Sequence, residues 1–180
     1  MTRAGAPRET VRRLAVVIVT STRAAAGDYE DRTGPVIASW LFERSFEVAP
    51  VVVVADGPDV AAALAAAVAS SADLVVTTGG TGIGAGDGTA DATAAILDKP
   101  LPGFSEELRR RGAASTPFSL ISRGVAGIAG STFIVNLPGS SGGVRDGLEL
   151  LGEVVEHVFD QLAGRNHEQS LDQLAGGDHG

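Results

Sequence analysis

From Leu74 to Asp87 the sequence reads Leu-Val-Val-Thr-Thr-Gly-Gly-Thr-Gly-Ile-Gly-Ala-Gly-Asp, an apolar run that opens directly into five glycines. Glycine adopts φ > 0 readily and brings no Cβ against a ligand. Consecutive N–H groups of Gly79, Gly80, Thr81 and Gly82 can therefore converge on phosphate oxygens. The bland alternative is a flexible connection, but the loop follows a buried strand, where α/β sheets hold their ligands. Two familiar phosphate motifs fail here. A Walker-type loop needs Gly-Lys-[Ser/Thr], and the chain's one lysine is Lys99. A dinucleotide fingerprint can be forced through Gly80, Gly82 and Ala85, but the acid at the right distance, Asp98, ends a predicted helix and not a strand.

Two carboxylates frame this loop. Asp56 follows the apolar run ending at Val54, and Asp87 closes the glycines. In a parallel sheet both fall on the carboxyl edge, and two such acids beside phosphates make a natural Mg²⁺ site. The alternatives stay open on spacing alone: Asp56 can cap the helix opening near Gly57-Pro58, and Asp87 can merely support its loop. Arg123 suits a phosphate through its planar fork, although Ser122 and Arg123 can equally cap the preceding segment. Gly139 and Ser140 precede the closing helix, whose free N–H groups offer a second anion site.

These residues need a frame, and the hydrophobic pattern supplies one. Leu14 to Thr20, Val48 to Val54 and Leu74 to Thr78 read as strands, the first of them buried on both faces. Ser21 to Thr33 reads as a loop. Gly34 to Phe46, Asp59 to Ser70, Thr89 to Asp98, Ser105 to Arg111 and Leu148 to Leu162 read as helices. The prolines in Lys99-Pro-Leu-Pro-Gly103 forbid one continuous helix there, and Val125 to Leu137 reads as a hairpin turning at Gly130-Ser131. Alternating strands and helices imply a parallel, three-layer α/β sheet with right-handed crossovers. Residues 14–163 then form the domain, with flexible segments at 1–13 and 164–180.

Composition narrows the function. The 180 residues, 44% of them hydrophobic, suit one domain with a sizeable core. The formal net charge of -8 argues against a general nucleic-acid binder. It also means that an anionic ligand must be held by backbone donors and a few placed arginines, of which Arg23, Arg32, Arg123 and Arg145 fall in or beside predicted loops. There is no cysteine, so neither a disulfide framework nor a thiolate metal site is available, and the cytoplasm is the expected compartment. No apolar run reaches the roughly 20 residues of a membrane span, and the start lacks the core of a signal peptide. His157, His167 and His179 read as solvated residues and not as ligands.

Taken together, Thr77-Thr-Gly-Gly-Thr-Gly82, Asp87-Gly-Thr-Ala-Asp91, Pro102-Gly-Phe104, Ile121-Ser-Arg123 and Asn136-Leu-Pro-Gly-Ser140 resemble, in this order, the Mog/MoaB family. Ser21-Thr-Arg23 with Gly27-Asp-Tyr-Glu-Asp31 is similar to the Mog branch. The likeness covers roughly Leu14 to Ala163. It implies an α/β/α molybdopterin-binding fold with a mostly parallel sheet and a β-hairpin, usually a homotrimer. It also implies transfer of AMP from Mg-ATP to the terminal phosphate of molybdopterin, with release of pyrophosphate and hand-over to a molybdate-inserting protein. On this resemblance Asp56 and Asp87 match the acids linked to metal and adenylyl transfer. Gly79, Gly80, Thr81 and Gly82 match the phosphate loop, Ser21, Ser122 and Ser140 are pocket donors, and Arg123 and Gly139 stand beside them.

The chain departs from the family pattern at several places. Thr22 replaces the acid of Ser-Asp-Arg, Ala90 the proline and Asp91 the glutamate of Asp-x-Thr-Pro-Glu. Basic residues common near the loop aspartate and after Leu-Pro-Gly are here Ala85-Gly86 and Gly142. These changes motivate a second function, a non-catalytic module that carries molybdopterin. A nicotinamide-dependent oxidoreductase is the third and would need the dinucleotide site that the spacing disfavours.

Overall fold

A computed structural model describes residues 12–28 and 30–164. The expectations for residues 1–11, Tyr29 and residues 165–180, His167 and His179 among them, lie outside these. In chain order the elements are β1 (Leu14–Thr20), α1 (Thr22–Ala25), α2 (Gly34–Glu43), β2 (Glu47–Val48), β3 (Val52–Val54), α3 (Pro58–Ala69) and β4 (Leu74–Thr78). There follow α4 (Thr89–Ala94), β5 (Lys99–Pro100), α5 (Pro102–Ala113), a 3-10 turn (Pro117–Ile121), β6 (Ala126–Ala129), β7 (Thr132–Leu137) and α6 (Ser141–Leu162).

Strands β1, β4 and β7 run parallel at the centre of the sheet. β2 and β3 extend it in parallel beyond β1; on the far side β6 pairs antiparallel with β7, and β5 antiparallel with β6. The alternation of side chains splits each central strand between two cores. Ala15, Val17, Leu74, Val76, Phe133 and Val135 pack beneath α2, α5 and α6, where Ile37, Leu41, Phe104, Leu108, Leu148, Leu151 and Val155 are buried. Val16, Ile18, Val75 and Ile134 pack on the other face against Val60, Leu64 and Ala67 of α3, with Ala92 of α4 beside them. The sheet is thus mixed, with helices on both sides, as the alternating pattern requires.

The differences from the sequence expectation have local causes. The strand expected over Val48 to Val54 is two short ones: Ala15 pairs with Val48 and Ile18 with Val52, so β1 advances three residues while its neighbour advances four. Pro50, with no N–H to donate, sits in the resulting bulge. The helix from Thr89 stops at Ala94, because the chain must turn to bring Lys99 and Pro100 alongside β6. Asp98 secures that turn, donating its N–H to Ile128 O at 2.8 Å and accepting from Gly130 N at 2.6 Å. The closing helix begins seven residues before Leu148, at Ser141. Its early glycines lower helix propensity, yet a Cβ on Gly147 would run into Leu137 Cδ2, so the missing side chain lets α6 cross close over the end of β7. The loop after β1 contains the single turn α1, capped by Ser21 Oγ accepting from Ala24 N at 3.2 Å. Arg13, assigned from sequence to the flexible leader, pairs with Glu156 at 2.8 Å and stacks over Phe159.

One buried polar residue ties the layers together. Asn136 is 2% exposed; its Oδ1 accepts from Val125 N at 3.1 Å, and its Nδ2 donates to Thr77 Oγ1 and Thr93 Oγ1, both at 2.9 Å. It joins β4, β7, α4 and the entry to β6 in a single set of bonds. On the surface, Arg111 bridges Glu107 (2.8 Å) and Glu153 (2.7 Å), linking α5 to α6, while Arg110 also holds Glu107 at 2.7 Å. Hydrogen bonds from Arg110 and then Arg111 lower the Glu107 carboxyl from 4.5 to about 2.

Asn136→Ala strands several buried donors and acceptors and is expected to cost about 2–4 kcal/mol in urea denaturation, with the m-value unchanged. Because the folded Glu107 pKa is depressed, its contribution is complete above pH 4.5 and is lost as pH falls through about 2. Carboxyl NMR should give a midpoint far below that of a free glutamate, and Glu107→Gln should flatten the pH dependence of stability in that acid window.

Candidate active site

The carboxyl ends of β4 and β7 lie side by side, and the loops leaving them meet. Gly79 N donates to Leu137 O at 3.1 Å, and Thr78 Oγ1 donates to Pro138 O at 2.9 Å. Gly79 and Gly80 take φ of 94 and 62°, the left-handed region that disfavours a side chain. Space forbids one too. A Cβ on Gly79 would strike Thr20 O, while one on Gly139 would stand in ordinary contact, 3.4 Å from Gly79 Cα. The N–H groups of Gly80, Thr81 and Gly82 have no protein partner among the described residues, whereas that of Gly79 is taken by Leu137.

Both aspartates pack against this loop. A Cβ on Gly80 would lie 3.0 Å from Asp56 Oδ1, and a Cβ on Gly82 would lie 2.7 Å from Asp87 Oδ2. Gly86 faces the Asp56 side chain as well, at 3.9 Å from its Cβ by the same construction. Asp56 does not cap α3, whose N-cap Gly57 has no side-chain bond; its Oδ2 instead accepts from Thr22 N (3.2 Å) and Thr22 Oγ1 (3.0 Å). Asp87 Oδ2 accepts from Gly84 N at 2.8 Å, which supports the loop. Asp56 Oδ1 and Asp87 Oδ1 have no hydrogen-bond partner among the described residues.

The crossing of the two loops divides the sheet edge into two depressions. The larger, a cavity of ≈ 510 Å³, takes Thr81, Gly82, Ser122 and Ser140 into its lining. The smaller, of ≈ 210 Å³, takes Ser21, Gly79 and Gly139. Asp56, Asp87, Gly80 and Arg123 line neither; they stand at the loop that separates them. At the start of α6, Ser140 Oγ accepts from Gly143 N at 3.2 Å and Ser140 O takes Val144 N, which leaves the N–H groups of Ser141 and Gly142 for a ligand.

Arg123 has a different setting from the one its residue type suggests. Nε donates to Gly82 O (2.8 Å), Nη2 to Asp87 O (2.5 Å), and Nη1 to both carboxylate oxygens of Asp91 (3.0 Å). Its guanidinium is committed to bracing the glycine loop. Asp91 serves as its counter-ion. Buried Thr20 and Thr89 flank Gly80 with hydroxyls that find no partner among the described residues. Sequence reasoning passed over Arg109, whose Nη1 donates to Ser122 O (3.1 Å) and Gly124 O (3.2 Å) at the wall of the larger cavity. Only its i+4 relation to Ser105 on an amphipathic helix hinted at a shared face.

The donor set fits Mg²⁺. That ion takes hard oxygens, keeps several waters, and is commonly held by one or two carboxylates together with substrate phosphates. Asp56 and Asp87 each offer a free oxygen at the same loop, and among the described residues no group of three or more acidic, histidine or cysteine side chains forms a closed cage. No helix among the described residues is long and apolar enough to cross a membrane.

Comparison with known proteins agrees with this geometry. Residues 16–157 match the family model of a probable molybdopterin binding domain. The chain is 39% identical over 154 residues to a molybdenum cofactor biosynthesis bifunctional protein of Synechococcus elongatus, covering 85% of this chain and 48% of that protein. It thus spans about half the length of the bifunctional relatives it matches. A molybdopterin adenylyltransferase of Helicobacter pylori is 35% identical over 152 residues, covering 82% of this chain and 86% of that one. The structure of the molybdopterin biosynthesis Mog protein from Mycobacterium ulcerans superposes with a TM-score of 0.80 at 50% identity, covering 84% of this chain and 99% of that chain. With the glycine loop, the mixed sheet and these matches in agreement, the chain belongs to the Mog/MoaB family of molybdenum cofactor biosynthesis proteins.

Proposed function

We propose that this protein transfers AMP from Mg-ATP to the terminal phosphate of molybdopterin. The observation that carries the reading is the placement of Asp56 and Asp87 against one glycine loop, each with a free oxygen, at the loop that separates two depressions. An oxygen of the molybdopterin phosphate attacks the α-phosphorus of ATP. That P–O bond forms as the bond to the β-phosphate breaks, and pyrophosphate leaves with its electron pair. No enzyme nucleophile is needed, and no proton need move at a phosphate dianion.

The residues position and stabilise. N–H groups of Gly80, Thr81 and Gly82 receive phosphate oxygens, and those of Ser141 and Gly142 add the positive end of a 22-residue helix. Ser21, Ser122, Gly139 and Ser140 border the reactants, and Arg123 holds the loop carbonyls so that the amides face outward. Mg²⁺ held by Asp56 and Asp87 would neutralise charge building on the displaced phosphates. In a chain of net charge -8, such local donors are what make the approach of two polyanions feasible. The homotrimer implied by the family belongs to the same proposal, and sedimentation as a stable monomer would contradict it.

Asp56→Asn and Asp87→Asn should each still bind molybdopterin in calorimetry yet form adenylyl-molybdopterin about a hundredfold more slowly. Undiminished turnover in both variants removes the assigned roles. Pterin binding without any binding of Mg-ATP by the wild-type chain would instead favour the carrier function that Thr22, Gly86 and Gly142 suggest.

A further inference from the structure

The larger cavity contains a cation that the protein does not balance. Arg109, half-buried on α5, spends Nη1 on the carbonyls of Ser122 and Gly124, while Nε and Nη2 have no partner among the described residues. No carboxylate among the described residues pairs with it, although Arg110, Arg111 and Arg123 each have one. The single acid in the cavity lining, Asp146, pairs with Arg145 at 3.4 Å. One turn back on the same helical face, Ser105 is 6% exposed and its hydroxyl has no partner. The buried Ser105 hydroxyl is costly unless an acceptor reaches it, and Arg109 Nε and Nη2 at the same wall remain open to a ligand's acceptors.

The surroundings define what that ligand is. Between this wall and the N–H groups of Gly82 and Gly142 the cavity is bordered by Leu108, Phe118, Ile121 and Pro138. A Cβ on Gly112 would come within 2.7 Å of Ser119, and Ser119 Oγ donates to Arg109 O at 3.0 Å, so the 3-10 turn is pressed onto α5. That seating leaves Phe118 77% exposed at the cavity. A flat ring with acceptors on one edge satisfies every feature: its faces meet Phe118 and the aliphatic walls, and its edge meets the planar fork.

We propose that Arg109, with Ser105, reads the acceptor edge of a planar heteroaromatic ring stacked beside Phe118, while the ligand's phosphate lies at the Gly82 and Gly142 end. The ring is a pterin if the proposed function holds, and only its identity rests on that reading. Titration with 6-hydroxymethylpterin, which has no phosphate, and with inorganic pyrophosphate separates the two ends. Arg109→Met should weaken pterin binding about tenfold or more while the pyrophosphate Kd stays within about twofold; Phe118→Ala should also weaken the pterin, and Arg109→Lys, charged but lacking the fork, should restore little. Unchanged pterin affinity in Arg109→Met, or no saturable pterin binding by the wild-type chain, overturns the assignment. So does a selective loss of pyrophosphate, or an equal loss of both probes with a lowered Tm, which would make Arg109 a phosphate contact or a brace for residues 122–124. Arg109-dependent pterin binding without adenylyl transfer removes the reaction and leaves this inference intact. Adenylyl transfer with normal pterin binding in Arg109→Met does the reverse.

Discussion

The site depends on two chain segments passing in contact at the end of the sheet with no side chain between them. Gly79 and Gly139 meet there, and the bond from Gly79 N to Leu137 O draws the loops after β4 and β7 together. Any Cβ at Gly79 would collide with the backbone of Thr20, which cannot yield because β1 is paired on both sides. The loop conformation so fixed leaves the N–H groups of Gly80, Thr81 and Gly82 without a partner among the described residues. Asn136, buried one residue before Leu137, holds this register from below through Thr77 and Thr93.

Charge is distributed with the same economy. The chain is acidic overall, so a broad basic surface is not how it attracts an anion. Its arginines divide by task. Arg123 neutralises carbonyls and Asp91 to keep the glycine loop in shape, Arg110 and Arg111 fasten α5 through Glu107, and Arg111 carries that fastening on to α6 through Glu153. Arg109 alone of this group has no carboxylate partner among the described residues. Main-chain dipoles supply the rest of the positive potential, from the loop and from the start of α6, and they add no mobile side chain.

The two aspartates gain their setting from different parts of the chain. Thr22, where the resemblance leads one to expect an acid, donates both its N–H and its hydroxyl to Asp56, so a neutral donor occupies that place. Asp87 is held by the loop it closes, through Gly84 N, and its own carbonyl is held by Arg123. Each acid retains one oxygen, Oδ1, without a hydrogen-bond partner among the described residues.

Much of this was legible in the amino-acid order. Apolar runs of strand length, glycines after Thr78, prolines at Pro100 and Pro102 and the turn at Gly130 each act within a few residues, so β1, β4, the hairpin, the break before α5 and the left-handed turn of the glycine loop follow from local rules. What local rules could not supply was anything arising from separate segments meeting. The extension of α6 back to Ser141 depends on Leu137 beneath Gly147, and the bulge at Pro50 on the spacing of β1 beside it. Likewise, whether an arginine braces a loop or faces a cavity is decided by which carbonyls and carboxylates lie within about 3 Å, a hydrogen-bond distance. Arg109 and Arg123 are chemically identical in sequence and differ only in those neighbours, which the packing of α5, α4 and the loop ends brings to them.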